Sequence, residues 1–170
     1  MILGLSTSAF TQLHVVISLV GIFAGLIVLF GMFGSKRMPG WTALFLATTV
    51  LTSVTGYFFP TEKILPSHIV GAISLVLLAI ALFALYSRHL DGSWRWIYVV
   101  TALIALWLNI FVAIAQTFQK VPAVHALAPT GAEPPFVIAQ GLVLLLFIVL
   151  GVFAVRSFHP ERRMSGLASV

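Results

Sequence analysis

The sequence predicts an all-α integral membrane protein: five transmembrane helices in one bundle, with the N-terminus outside and the C-terminus in the cytoplasm. Three observations lead there. Charged residues make up only 8% of the 170 and hydrophobic residues 61%, whereas a soluble domain carries roughly 25% charged residues. The apolar residues gather in runs long enough to cross a bilayer. The basic residues gather on alternate sides of those runs.

A helix rising 1.5 Å per residue needs roughly 20 mostly apolar residues to cross about 30 Å of hydrocarbon. Five runs meet that length, over 10–34, 41–59, 67–87, 95–118 and 136–156. The breaks are marked by turn formers: Gly34-Ser35-Lys36-Arg37-Met38-Pro39-Gly40, then Pro60 and Pro66, then Asp91-Gly92. The fourth connection, 119–135, holds four prolines and is the one long loop. No repeat and no second domain is visible, so 1–170 reads as a single transmembrane domain. Residues 1–9 carry no positive segment and the first apolar run is too long for a signal peptide, so the first helix is expected to remain as an anchor.

Orientation follows from lysine and arginine, which are enriched in cytoplasmic loops. Lys36, Arg37, Arg88, Arg95, Arg156, Arg162 and Arg163 fall on one side, Lys63 and Lys120 on the other. Seven of the nine basic residues therefore assign loops one and three and the tail to the cytoplasm. In a bacterial cell this is the inner membrane, with loops two and four periplasmic. Trp41, Trp94, Trp96, Tyr57 and Tyr86 lie near run ends, where amphipathic rings sit at the interface.

The net charge of +5 does not point to nucleic acid, because the basic residues are spread over short loops and form no patch. The partner implied is the lipid bilayer. With no cysteine, disulfides, zinc–thiolate sites, iron–sulfur clusters and c-type haem are excluded.

Polar residues inside hydrocarbon are costly and so mark sites. Threading the runs with alternating direction brings most of them to one level on the outer side: Gln12 and His14, Thr55 and Tyr57, Ser67 and His68, Gln116 and Thr117, and Gln140. His125 and Glu133 in the long loop and Glu62 in loop two lie above. On the first helix, His14, Ser18, Gly21 and Gly25 share a stripe, and Gly21-x-x-x-Gly25 lets another helix approach closely. His68, Gly71 and Leu75 share a face, as do Ala105, Asn109 and Gln116. The second helix, with Thr48, Thr49, Thr52, Ser53 and Thr55, is expected to be central.

These positions define an expected pocket of His14, His68, Tyr57, Gln116 and Gln140 beneath the long loop. Imidazole is a common ligand of haem iron and transition metals, so the candidate occupants are haem b, a metal ion held by His14, His68 and His125 (with Glu62 or Glu133 completing the set), or a quinone-like ligand in redox chemistry. Copper(I) is disfavoured, since Met32, Met38 and Met164 fall on the cytoplasmic side. A di-iron carboxylate centre is excluded, because no acid lies within a run. In their places near helix ends, His14 and His68 resemble the axial histidines of b-type membrane cytochromes. The second pair such proteins place near the cytoplasmic face is missing, since His89 and His159 lie in loop and tail, and no family is assigned.

The alternative for each histidine is an interfacial hydrogen bond to a neighbouring helix, and for each threonine a bond to its own helix. With no Gly-x-Ser-x-Gly elbow and no acid beside a histidine within a run, enzymatic activity is left open. The second functional class is then a non-catalytic accessory subunit packing against other membrane-protein subunits. The orientation is checked by reporter fusions: one placed after Lys36 should report the cytoplasm, and a periplasmic signal there would reverse the bundle.

Overall fold

The computed structural model describes residues 1–60 and 66–160. Glu62 and Lys63 in loop two, and Arg162, Arg163 and Met164 in the tail, lie outside the described residues. The helices are α1 (Thr7–Phe33), α2 (Pro39–Gly56), α3 (Pro66–Leu82), continued by a π turn (Phe83–Ser87), α4 (Trp94–Lys120), the short α5 (Pro122–His125) and α6 (Pro134–Ser157). No strand occurs among the described residues.

Helix ends follow local chemistry. The α1 start moves ahead of the apolar run because the Ser6 hydroxyl accepts the Ala9 N–H at 3.2 Å, an N-cap. The α4 helix stops at Lys120 because the residue before Pro122 is driven out of the helical region, and Val121 sits at φ −92°, ψ 112°. Pro134 opens α6, where a missing N–H costs nothing.

Four helices are long and apolar enough to cross a membrane: α1, α3 with its π turn, α4 and α6. The fifth expected span, α2, is not among them. It has 18 residues and carries five threonines and serines between Thr48 and Thr55. Three of its hydroxyls return to their own helix, Thr48 to Leu44 O, Thr49 to Phe45 O and Thr55 to Leu51 O, each at 2.7 Å. Those groups thus need no other partner.

Helix α2 runs antiparallel along α1. Thr55 meets His14, Thr48 faces Gly21, Phe45 faces Gly25, and Met38 closes on Gly31. The central element is α4 and not, as expected, α2: α4 touches α1, α2, α3, α5 and α6. Its buried face, Tyr98, Ala102, Ala105 and Leu106, lies in one core cluster with the small residues Ala24, Ala81 and Ala154. Small residues let helices pack closely where lipid gives no hydrophobic drive to association.

The basic ends of the helices are tied together. Ser35, after α1, donates to Ser157 O at 3.0 Å and accepts His159 N–H at 2.6 Å. Arg95 at the start of α4 donates to Val155 O and Phe158 O at 2.9 and 2.6 Å, capping carbonyls that end α6. Arg37 reaches His89 O, and Arg88 lies 5.3 Å from the centre of the Trp94 ring.

The glycine stripe faces protein, as its spacing predicts. A Cβ on Gly25 would lie 2.6 Å from Leu106 Cδ1 and 2.9 Å from the Phe45 ring. On Gly21 it would lie 3.0 Å from Thr48 Oγ1. Gly25→Ala should therefore destabilise by about 1–3 kcal/mol through overpacking, and leucine at either position by more. Gly141→Ala, with open space around it, serves as the neutral control. Unchanged melting temperatures in detergent for both leucine variants would remove the stripe from the interface.

Candidate functional site

His14 lies on α1 two turns from its start, half-buried against α2. Its Nδ1 is 2.7 Å from Thr55 Oγ1. The Thr55 proton already goes to Leu51 O at 2.7 Å, so Thr55 accepts and the Nδ1–H of the ring donates. In the neutral imidazole this fixes the tautomer and makes Nε2 the lone-pair atom. Phe59 abuts the ring edge-on, with centroids 5.3 Å apart.

Beside His14, where α1, α2, α3 and α4 converge, is a cavity of about 70 Å³. Its polar wall consists of His14, Thr52, Ser53, Ser67, Ser74 and Asn109. Two atoms on these residues, Thr52 Oγ1 and Asn109 Nδ2, are buried with no hydrogen-bond partner among the described residues. An unpaired buried donor costs roughly 1–3 kcal/mol, a cost that an acceptor placed against either atom would offset.

The other expected site residues divide among different contacts. The Tyr57 ring stacks on His68, with centroids 5.3 Å apart and planes 16° off parallel, and its hydroxyl donates to His68 O at 2.6 Å. Gly71, one turn on, leaves room for the same ring, which a Cβ would meet at 3.4 Å. The structure thus joins His68 to Tyr57 and His14 to Thr55. Of the four, only His14 borders the cavity. Gln116 is half-buried on α4, beyond the cavity wall. Gln140 joins α6 to α4, donating to Phe111 O at 3.0 Å, while its Oε1 is buried without a partner among the described residues.

His125 Nδ1 lies 3.0 Å from Phe118 O, so its ring fastens the end of α4. No group of three or more His, Cys, Asp or Glu able to hold a metal occurs among the described residues. Glu133, one expected completing ligand, is engaged elsewhere: its carboxylate accepts from Thr130 N–H and Oγ1, both at 2.9 Å, and from Ala132 N–H at 3.1 Å. Glu62 lies outside the described residues.

Thr52, Ser53, Ser74 and Asn109 are the polar cavity residues that depth alone did not single out. Ser67, Gly71 and Ser74, at intervals of four and three, form a small-residue stripe on α3 that signals this wall.

The hydrogen bonds to Glu133, first that from the Thr130 backbone N–H, hold its carboxyl at about 2, below the usual 4.5. A depressed carboxylate pKa means that these loop hydrogen bonds contribute fully above pH 4.5 and are lost as pH falls toward 2. In micelles, the Thr130 and Ala132 amide resonances should titrate with a midpoint near 2 and lose that transition in Glu133→Gln. A midpoint at the ordinary carboxylate value would contradict those hydrogen bonds.

No known protein family, curated protein or solved structure matches this chain.

Proposed function

We propose that the chain is a five-span inner-membrane protein, N-terminus outside, whose His14 cavity binds the carbonyl head of a quinone-like lipophilic ligand in redox chemistry. The fifth span is α2. Its contacts along α1, from Thr55 at His14 to Met38 at Gly31, cover about 25 Å of helix at 1.5 Å per residue. A segment lying along α1 for that length crosses the same layer, and its internally bonded threonines lower the cost of doing so.

The observation that carries the binding reading is the pair of buried, unpartnered groups, Asn109 Nδ2 and Thr52 Oγ1, on one cavity wall with His14. Both can donate, and a ligand carbonyl supplies the acceptor. A metal ion asks for several ligating groups, and this wall offers one imidazole among hydroxyls and an amide. Haem b asks for a second axial imidazole and a far larger slot than about 70 Å³, since pockets for ligands of that class run to about 300–1,000 Å³. The cavity therefore suits the head of a ligand whose remainder lies between helices. Two water molecules, at roughly 30 Å³ each, suit it as well, and the experiment separates the two.

The accessory-subunit alternative draws on α6, of which only Gln140, Phe147 and Ala154 are buried. A helix so peripheral has a wide apolar face for another membrane subunit.

A short-chain ubiquinone analogue titrated into the purified chain in nanodiscs should bind saturably. Thr52→Val and Asn109→Leu should each weaken it about ten-fold, the loss of one hydrogen bond of ~1–1.5 kcal/mol, with helical circular dichroism unchanged. Absence of saturable binding by the unaltered chain would leave water as the occupant and remove the quinone reading.

A further inference from the structure

A second and larger concavity lies on the lipid-facing side, between α4 and α6, with a volume of about 570 Å³. Val100 and Trp107 on α4 and Leu144, Ile148 and Val152 on α6 form most of its apolar wall. The one charged residue on that wall among the described residues is Arg156, in the last turn of α6 and exposed. Arg95, seated on Val155 O and Phe158 O, brings a second guanidinium to the same end.

Length and charge together identify the occupant. On α6 the groove extends from Leu144 to Arg156, about 18 Å of helix at 1.5 Å per residue. One leaflet occupies half of a hydrocarbon core about 30 Å thick, or about 15 Å. The groove is thus apolar over one leaflet's depth and positive where that leaflet meets its headgroups. A phospholipid matches both features at once, with an acyl chain of one leaflet's depth and an anionic headgroup at its end.

We propose that this groove is a binding site for an anionic phospholipid of the leaflet at the Arg156 end, its acyl chain between α4 and α6 and its phosphate at Arg156 and Arg95. The inference rests on α4 and α6 spanning the bilayer and is independent of what fills the His14 cavity. Arg156 extends its apolar stem along the groove and holds its charge at the interface. A guanidinium there also donates to two phosphate oxygens in one plane, which lysine does not. Arg95 already fixes the end of α6, so lipid binding at this point would also brace the seam between the two helices.

The test uses the full chain in detergent, with dioleoyl phosphatidylglycerol and dioleoyl phosphatidylcholine as probes and native mass spectrometry as readout. Phosphatidylglycerol should be retained in preference to phosphatidylcholine, while inorganic phosphate alone should raise the melting temperature by nothing measurable. Arg156→Gln should reduce that preference about five-fold, the share of one basic side chain at a membrane surface. Ile148→Trp alters a residue 54% exposed on the groove. It should weaken both lipids alike without changing helical content. Equal retention of the two lipids by the unaltered chain, or full retention in Ile148→Trp, would overturn the site. A dimer of the chain that Ile148→Trp dissociates would assign the groove to a protein partner and overturn it equally.

Discussion

An apolar surrounding offers no hydrogen bonds, so each polar group that enters it must find a partner inside the protein. That constraint organises this bundle at every scale. It selects helices, whose backbone groups satisfy one another. It accounts for the threonines of α2, whose hydroxyls bend back to carbonyls four residues earlier. It also accounts for the guanidinium of Arg95, whose Nη1 donates to the carbonyls α6 leaves open. Measured against that rule, the few buried polar atoms left without partners are exceptions, and two of the four among the described residues border one cavity.

The two ends of the bundle are built differently. At the basic end, Ser35, Arg37 and Arg95 connect segments more than 50 residues apart in the chain through backbone carbonyls. At the histidine end, His14 and Thr55 join α1 to α2, and Tyr57 and His68 join the end of α2 to α3. Between these ends α1 sits close against α2 and α4 at Gly21 and Gly25. The close approach stops where larger polar side chains begin, and the space left beside His14 and Asn109 is the cavity. The glycine contact and the cavity are in this sense one feature: helices that touch at one level and separate at the next.

Much of the fold was legible in the sequence because apolar runs and helical spacing are local signals. The four longest helices agree with the runs to within a few residues, and the stripe through His14 and Gly25 faces the neighbours its spacing implies. What local signals omit is rotation and partnership. Counting along helices puts His14, His68, Gln116 and Gln140 at a common level, but it does not say which faces which. The side chains settle this by reaching the nearest unmet group: Gln140 takes Phe111 O, His125 takes Phe118 O, and His68 lies under Tyr57. The link from Ser35 to Ser157 crosses 122 positions and has no trace in any periodic pattern. The placing of α4 at the centre was also hidden, because a polar helix can hide its hydroxyls against its own backbone and need not be surrounded by others.

The polarity of the cavity and the apolarity of the outer groove lead to different kinds of guest. A site that holds its ligand by hydrogen bonds in a low-dielectric setting discriminates sharply, because a guest lacking the acceptor leaves Asn109 and Thr52 unmet at full desolvation cost. A groove that holds its ligand by apolar contact and one interfacial charge discriminates weakly among chains and mainly by headgroup. The first arrangement suits recognition of one chemical group, the second suits anchoring within the bilayer. Both involve α4, which carries Asn109 toward the cavity and Trp107 toward the groove two residues apart. On a helix, positions two apart point in nearly opposite directions, so a single turn of α4 separates the cavity from the outer groove.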